Sequence, residues 1–264
     1  MESIVSLQNS RIKLIGKLQS KAKERKNANL FVIEGAREIS LALEGEYSIE
    51  SVFVCPELFS KSDYPDLLKQ IDSRIQFEVS EAVFEKIAYR EGSDGLLALA
   101  KPKSHALSDL KLPENPFIIM LESVEKPGNL GAILRTADAS QADAVVVCDS
   151  LTDIYNPNVV RSSVGCIFTV PVAVCRNEEA LEFMKSRNIK TFAAELTAAQ
   201  WYHETDFTTP SAVIMGTEAD GLTEFWLKNA DARIKIPMRG KIDSLNVSVS
   251  TAVITFEAMR QRGF

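Results

Sequence analysis

The chain has 264 residues, is 45% hydrophobic and 25% charged, and carries a formal net charge of −6, a composition that fits one or two globular domains. Its longest apolar runs, such as FIIML at 117–121, are far too short to span a bilayer, and its start lacks an apolar core with a cleavage site, so no membrane segment or secretory signal is expected. Four cysteines without Cys-x-x-Cys spacing and only two histidines argue against a zinc site and fit reduced thiols in a cytoplasmic protein, with no metal expected.

In chain order, residues 9–26 (NSRIKLIGKLQSKAKERK) place Ile12, Ile15 and Leu18 at helical spacing behind Asn9 or Ser10, which predicts one amphipathic helix capped by either residue. Residues 1–26 hold seven Lys/Arg against two acids, leaving −11 for the rest of the chain. That asymmetry suggests a basic surface on an acidic body, although charge alone favours a solvated helix face. Strands are expected at 30–35, 51–55, 75–80 and 95–100, with helical patterns at 36–45, 64–72 and 80–89 between them. This is an α/β unit over residues 1–100. Residues 101–116 carry three prolines and little periodicity, and read as a linker. From 117 to 264 the alternation restarts, with strands at 117–121, 144–148, 190–196, 211–216 and 232–237, and an apolar run at 166–174. Helices are expected at 129–140, 156–165, 177–188 and 223–230, and at the C-terminus. Runs of β-branched residues alternating with helices argue for a largely parallel sheet covered on both faces.

Ligands of open parallel sheets bind beyond the carboxyl ends of strands, and three such ends carry unusual residues. After 117–121, Pro127-Gly128 breaks the chain, Asn129 is placed to cap a helix, and Arg135 falls about one and a half turns inside it. By itself this is a capped surface helix with an exposed arginine, and no Gly-x-Gly-x-x-Gly turn is present. After 211–216, Gly216 ends a buried strand, Glu218 lies in the loop and Gly221 precedes a helix. After 232–237, Pro237 and Gly240 keep residues 237–243 irregular, and the helix is expected to start within SLNVS. Ser244 is the expected N-cap there, and Asn246 a helper cap or a satisfied core amide.

Taken together, NLGAILRTADA, IMGTEADGL and IPMRGKIDSLNVSVSTAVITFE resemble the three signature motifs of the SpoU/TrmH-type RNA ribose 2'-O-methyltransferases of the SPOUT class. The resemblance covers residues 117–264. Residues 1–100 resemble the family's substrate-binding domain more loosely, through LFVIEGAREISLAL. It implies an α/β fold: a parallel-sheet SPOUT methyltransferase domain with a C-terminal trefoil knot, and a smaller N-terminal α/β RNA-binding domain. Knots are rare exceptions to chain topology. The resemblance further implies that the knot's loops hold S-adenosyl-L-methionine largely through backbone groups, with Gly216, Ile236 and Leu245 at the cofactor. The glycines would then allow close backbone approach. On the acceptor side it implies Arg135 polarising the ribose hydroxyl, Asn246 fixing it, and Glu218 orienting Arg135 or Asn246. Asn129, Lys21, Lys23, Arg25 and Lys26 are expected at the RNA, ribosomal RNA ahead of tRNA. A homodimer is implied as well, with Val249, Val253, Phe256 and Met259 available for packing. Base methylation and a non-catalytic RNA-binding or ribosome-assembly role are the alternatives. The chain departs from the family at Lys126 (often Asp), at Ser140-Gln141, in the SDG turn at 93–95 and at Ser250, none of which is expected to touch the catalytic residues.

Overall fold

A computed structural model describes residues 2–89 and 92–264. A short strand that the alternation did not signal, β1 (Glu2–Ile4), precedes α1 (Ser10–Ser20). Asn9 is the cap of α1, its side chain accepting the Arg11 N–H at 2.8 Å, and Ile12, Ile15 and Leu18 are buried. The helix does not continue to Lys26. Lys21 turns extended (φ −136°, ψ 121°), and a separate α2 (Ala22–Ala28) follows. Then come β2 (Phe31–Glu34), α3 (Ala36–Glu44), β3 (Ile49–Val54), α4 (Pro56–Phe59), β4 (Gln76–Val79), α5 (Glu81–Ile87) and β5 (Leu96–Ala100). The helical pattern at 64–72 yields only a 3-10 turn at Leu67–Gln70. The five strands order as β1-β4-β3-β5-β2, and β5 runs antiparallel to both neighbours, so this sheet is mixed.

Beyond residue 104 the elements are β6 (Phe117–Glu122), α6 (Pro127–Ser140), β7 (Ala144–Cys148), α7 (Pro157–Ser162), β8 (Val172–Cys175), α8 (Asn177–Ser186) and β9 (Lys190–Ala194). They continue with β10 (Gln200–Trp201), β11 (Ser211–Met215), α9 (Glu224–Asn229), β12 (Ala232–Lys235) and α10 (Val247–Arg262). Seven strands form a parallel sheet in the order β10-β12-β9-β11-β6-β7-β8. β6, β7 and β11 are buried along their whole length, which is why they read as unbroken apolar runs rather than alternating ones. β6 leads through α6 to β7 on one side, whereas β11 leads through α9 to β12 on the other side, past β9. The connections after these two neighbours part in opposite directions, which opens a crevice at their carboxyl ends. No helix among the described residues is long and apolar enough to cross a membrane.

The chain clusters into two units, but not along the expected contiguous division. Residues up to Lys103 group with Asp153–Thr169, and Ser104–Thr152 group with Val170–Phe264. The inserted segment completes the core of the first unit: the ring of Tyr155 stacks on Phe31 at 4.1 Å, and Phe168 packs edge-on against Tyr47 at 5.0 Å. Gly45 has no room for a side chain there, since an added Cβ would lie 2.2 Å from the Phe168 carbonyl oxygen.

The same segment corrects the expectation for Arg25. Its side chain is only 6% exposed; Nε pairs with Asp153 Oδ2 at 2.6 Å, and Nη1 donates to the Leu18 carbonyl at 2.5 Å. A guanidinium committed in this way is a structural tie and not a free contact for RNA, whereas Lys21, Lys23 and Lys26 are exposed. Arg25→Gln should therefore lower unfolding stability by about 2–3 kcal/mol, short of the loss for a fully enclosed pair because Asp153 stays partly in water. Gln at Lys21, Lys23 or Lys26 should stay within about 0.5 kcal/mol of the parent. Urea denaturation of the four single variants checks both statements.

Candidate active site

Gly216 follows the last residue of β11, and the chain at once folds back on itself. Thr217 N–H donates to the Gly221 carbonyl at 2.9 Å, Gly221 N–H returns the bond at 3.2 Å, and Gly221 adopts a positive φ of 69°. A Cβ on Gly216 would sit 2.1 Å from the Gly221 carbonyl carbon. Gly216 is thus demanded by the protein's own returning backbone.

Glu218 lies in that closed turn and gathers donors from two helices. Its Oε1 accepts Asn129 Nδ2 at 2.9 Å and Asn246 Nδ2 at 2.5 Å, and its Oε2 pairs with the Lys126 ammonium. Lys126 and Asn129 belong to the start of α6, and Asn246 to the start of α10. The lysine, the amide of Asn129 and, against them, partial burial set the Glu218 carboxyl below its ordinary range, with the donors prevailing. A carboxylate held in this way is a weak proton acceptor and a good anchor.

Several expectations change here. Asn246, not Ser244, caps α10: its Oδ1 accepts the Ser248 N–H at 2.9 Å and the Ser248 hydroxyl at 2.5 Å, and the helix starts at Val247. Asn129 is not a cap but the third residue of α6, with its side chain turned to Glu218. Lys126 does touch the working residues, through Glu218. Arg135 is exposed and, among the described residues, is not one of Glu218's partners. Six residues beyond Asn129, it stands about 9 Å further along α6 and roughly a third of a turn away from the Asn129 face. Glu218 therefore orients Asn246 and not Arg135.

The three residues expected at the cofactor converge. Gly216, Ile236 and Leu245 line one cleft of about 520 Å³ beyond the carboxyl ends of β9, β11 and β12, within the size range of small-molecule sites, roughly 300–1,000 Å³. Sharing residues 216–219 and Val247 with it is a smaller pocket of about 80 Å³, bounded also by Lys126 and Asn129. One turn of chain thus walls both spaces. Among the described residues no His, Cys, Asp or Glu cluster could hold a metal ion.

Sequence reasoning passed over Glu122, which fixes this region from beneath. It ends β6 with no solvent exposure. Its Oε1 accepts Asn177 Nδ2 at 2.7 Å and the Thr223 hydroxyl at 2.6 Å, and its Oε2 accepts the Thr223 N–H at 2.8 Å. Asn177 Oδ1 in turn accepts Trp226 Nε1 at 2.7 Å. The carboxylate joins the end of β6 to the starts of α8 and α9. A lone acid closing the run FIIML was the available signal.

Residues 116–256 match the SpoU rRNA Methylase family, and residues 9–98 match the MRM3-like substrate binding domain. The chain is 29% identical to a 23S rRNA (guanosine(2553)-2'-O)-methyltransferase of Bacillus subtilis, over 97% of this chain and 98% of that protein. It superposes on a crystal structure of an RNA 2'-O ribose methyltransferase with a TM-score of 0.85 and 36% identity, covering 99% of this chain and 100% of the other. An AdoMet-bound rRNA methyltransferase from Sinorhizobium meliloti gives a TM-score of 0.89 at 27% identity, covering 98% of this chain and 97% of that one.

The lowered Glu218 pKa sets a pH dependence. The stabilisation it carries is present above the ordinary carboxyl value of 4.5 and fades as pH falls through the lower folded-state value. The stability difference between the parent and Glu218→Gln should be constant near neutrality and close on acidification below that range. Chemical denaturation across a pH series measures it; a gap that is independent of pH would contradict the anchor.

Proposed function

The chain belongs to the SpoU rRNA methylase family, and from that premise we propose that it transfers a methyl group from S-adenosylmethionine to a ribose 2'-hydroxyl of structured ribosomal RNA. One observation carries the reading: the cleft of Gly216, Ile236 and Leu245 and the polar pocket of Lys126, Asn129 and Glu218 share the 216–219 turn as their wall. A donor in the first space and an acceptor in the second would be neighbours beside the residues the two spaces share, 216–219 and Val247. Two relatives matched over almost the whole chain carry rRNA in their names, which favours rRNA over tRNA.

The cleft suits this cofactor chemically. Glu195, Glu218, Asp220 and Asp243 line it against one ammonium, Lys235, and an acidic rim favours a ligand bearing a sulfonium and an ammonium. Held there, S-adenosylmethionine would supply an electrophilic methyl carbon for the ribose oxygen, with S-adenosylhomocysteine as the leaving group and the hydroxyl proton passing to water. The chain's own part is largely positioning, which can supply most of the acceleration of an in-line displacement. Asn129 and Asn246, held by Glu218, present amides to the acceptor. Arg135, permanently protonated, polarises the hydroxyl and holds a neighbouring phosphate. Lys21, Lys23 and Lys26 grip phosphates further along the RNA. The trefoil threading of residues 236–246 and a cytoplasmic setting belong to the same reading.

A homodimer completes it. α10 exposes Val249 and Phe256 and half-buries Val253 between them, at helical spacing, and such a stripe is an interaction surface. Met259, expected in the stripe, is buried instead because it faces inward with Ile254 and Ala258. α6 packs on α10 and carries the exposed Arg135, so a second copy over this stripe supplies the surroundings that Arg135 lacks in one protomer.

Labelled methyl transfer to unmodified rRNA and to bulk tRNA, followed by mapping of the product, tests the activity; transfer to a base, or to neither RNA, would overturn it. Leu245→Arg should abolish cofactor binding by calorimetry while unfolding stays cooperative. Arg135→Ala should keep cofactor affinity yet lose about a hundredfold or more in single-turnover rate, and Arg135→Lys, which lacks the planar fork, should recover little. Replacing Lys21, Lys23 and Lys26 together by Gln should flatten the salt dependence of RNA binding by about one unit per lost phosphate contact.

A further inference from the structure

Lys126 is an awkward residue for its position. It stands at the N-cap of α6, where it makes no side-chain capping bond, and where a cation faces the positive end of the helix dipole. Its side chain is 69% exposed, so burial does not explain it either. What it has is Glu218. The two oxygens of that carboxylate divide their partners: Oε1 takes the amides of Asn129 and Asn246, and Oε2 takes Lys126. Asn246 is fixed at its other end as well, since its Oδ1 is used in capping α10, and its Nδ2 also lies 3.2 Å from Asn129 Oδ1. The amides therefore have one movable support, and the lysine holds it. The 216–221 turn is closed by its own backbone bonds and by the Thr217 hydroxyl, so without the lysine the carboxylate is held through Oε1 alone and Oε2 no longer fixes its rotation.

We propose that Lys126 is a positioning residue of the transfer reaction, locking Glu218 and through it the amides of Asn129 and Asn246 beside the 80 Å³ pocket that Glu218 and Asn129 line for the acceptor ribose. The proposal rests on the reading of the site given above. It also makes the departure at position 126 a working feature of this chain: aspartate there would set two carboxylates face to face, and the pocket would need a different support.

The test compares Lys126→Met, Lys126→Arg and Lys126→Asp in the full chain. Cofactor affinity should stay at the parental value in the Met and Arg variants, and unfolding should remain cooperative in both, with the Met variant losing only the share of stability that the Lys126–Glu218 pair contributes. The Met variant should lose about ten- to a hundredfold in single-turnover rate at saturating rRNA, the scale of a small misplacement of a reacting group. The Arg variant should recover most of that loss and the Asp variant none. Hydrogen exchange of the amides of 217–221 should quicken in the Met and Asp variants and not in the Arg variant. Full single-turnover rate with unchanged exchange in Lys126→Met would overturn the proposal. So would a variant whose only defect is weaker RNA binding with a shallower salt slope, which would make Lys126 a phosphate contact. Were the parent to methylate no RNA while exchange still responded to Lys126→Met, the reading of the site would fail and the lock would stand.

Discussion

The pairing of β11 with β6 is the constraint on which the rest of the site depends. Five register pairs, from Ser211 beside Phe117 to Met215 beside Leu121, leave Gly216 level with Glu122. Both strands are buried throughout, and a slip by one residue would turn every side chain to the opposite face. Their connections part from this point, so the turn at 216–221 and the start of α6 are neighbours in space although about ninety residues separate them in sequence. The enclosed Glu122 then holds the starts of α8 and α9 to the same strand end. A buried carboxylate is tolerable only with its acceptor sites met, and here a backbone N–H, a hydroxyl and an amide meet them.

Above that foundation, polar groups serve fold and site together. Asn246 ends an irregular loop, starts α10 and reaches Glu218, all with one side chain. The short polar residues at the head of the last helix follow from this: Ser248 gives both its N–H and its hydroxyl to the cap, and Thr251 bonds back to the Val247 carbonyl at 2.7 Å. Residues with poor helix propensity are cheap where they satisfy the otherwise unpaired groups of a first turn. Removing the cap alone costs about 1 kcal/mol in typical helices, so a change at Asn246 alters the helix and the site at once.

The strands and most helices were legible because completely buried parallel strands leave unbroken apolar runs and long helices leave periodic ones. What escaped was either short or non-local. β1 has three residues, and the break at Lys21 has no glycine or proline to announce it. Gly216, Ile236 and Leu245, expected at a cofactor through motif resemblance, converge on one cleft. The partners of Glu218 could not be read off, because sequence does not say which of several nearby polar side chains reaches a carboxylate across a sheet. Arg25 was not readable either: the break at Lys21 puts it on a separate helix, so its burial does not follow from the spacing of Ile12, Ile15 and Leu18. Its partner Asp153 lies 128 residues away, beyond any local pattern.

The allotment of Asp153–Thr169 to the first unit bears on how the chain is made. The polypeptide passes between the units three times, at 103/104, 152/153 and 169/170. Chains are synthesised from the N-terminus, and domains ordinarily fold as they emerge. Here the first unit has its own sheet by residue 100 but not its full core: Phe31 waits for Tyr155, Tyr47 for Phe168 and Arg25 for Asp153. During translation that unit stays open at one side until about two thirds of the protein has left the ribosome, with β6, α6 and β7 already made. The order of assembly is thus interleaved, and a fragment cut at the apparent linker would carry the sheet without the residues that close it.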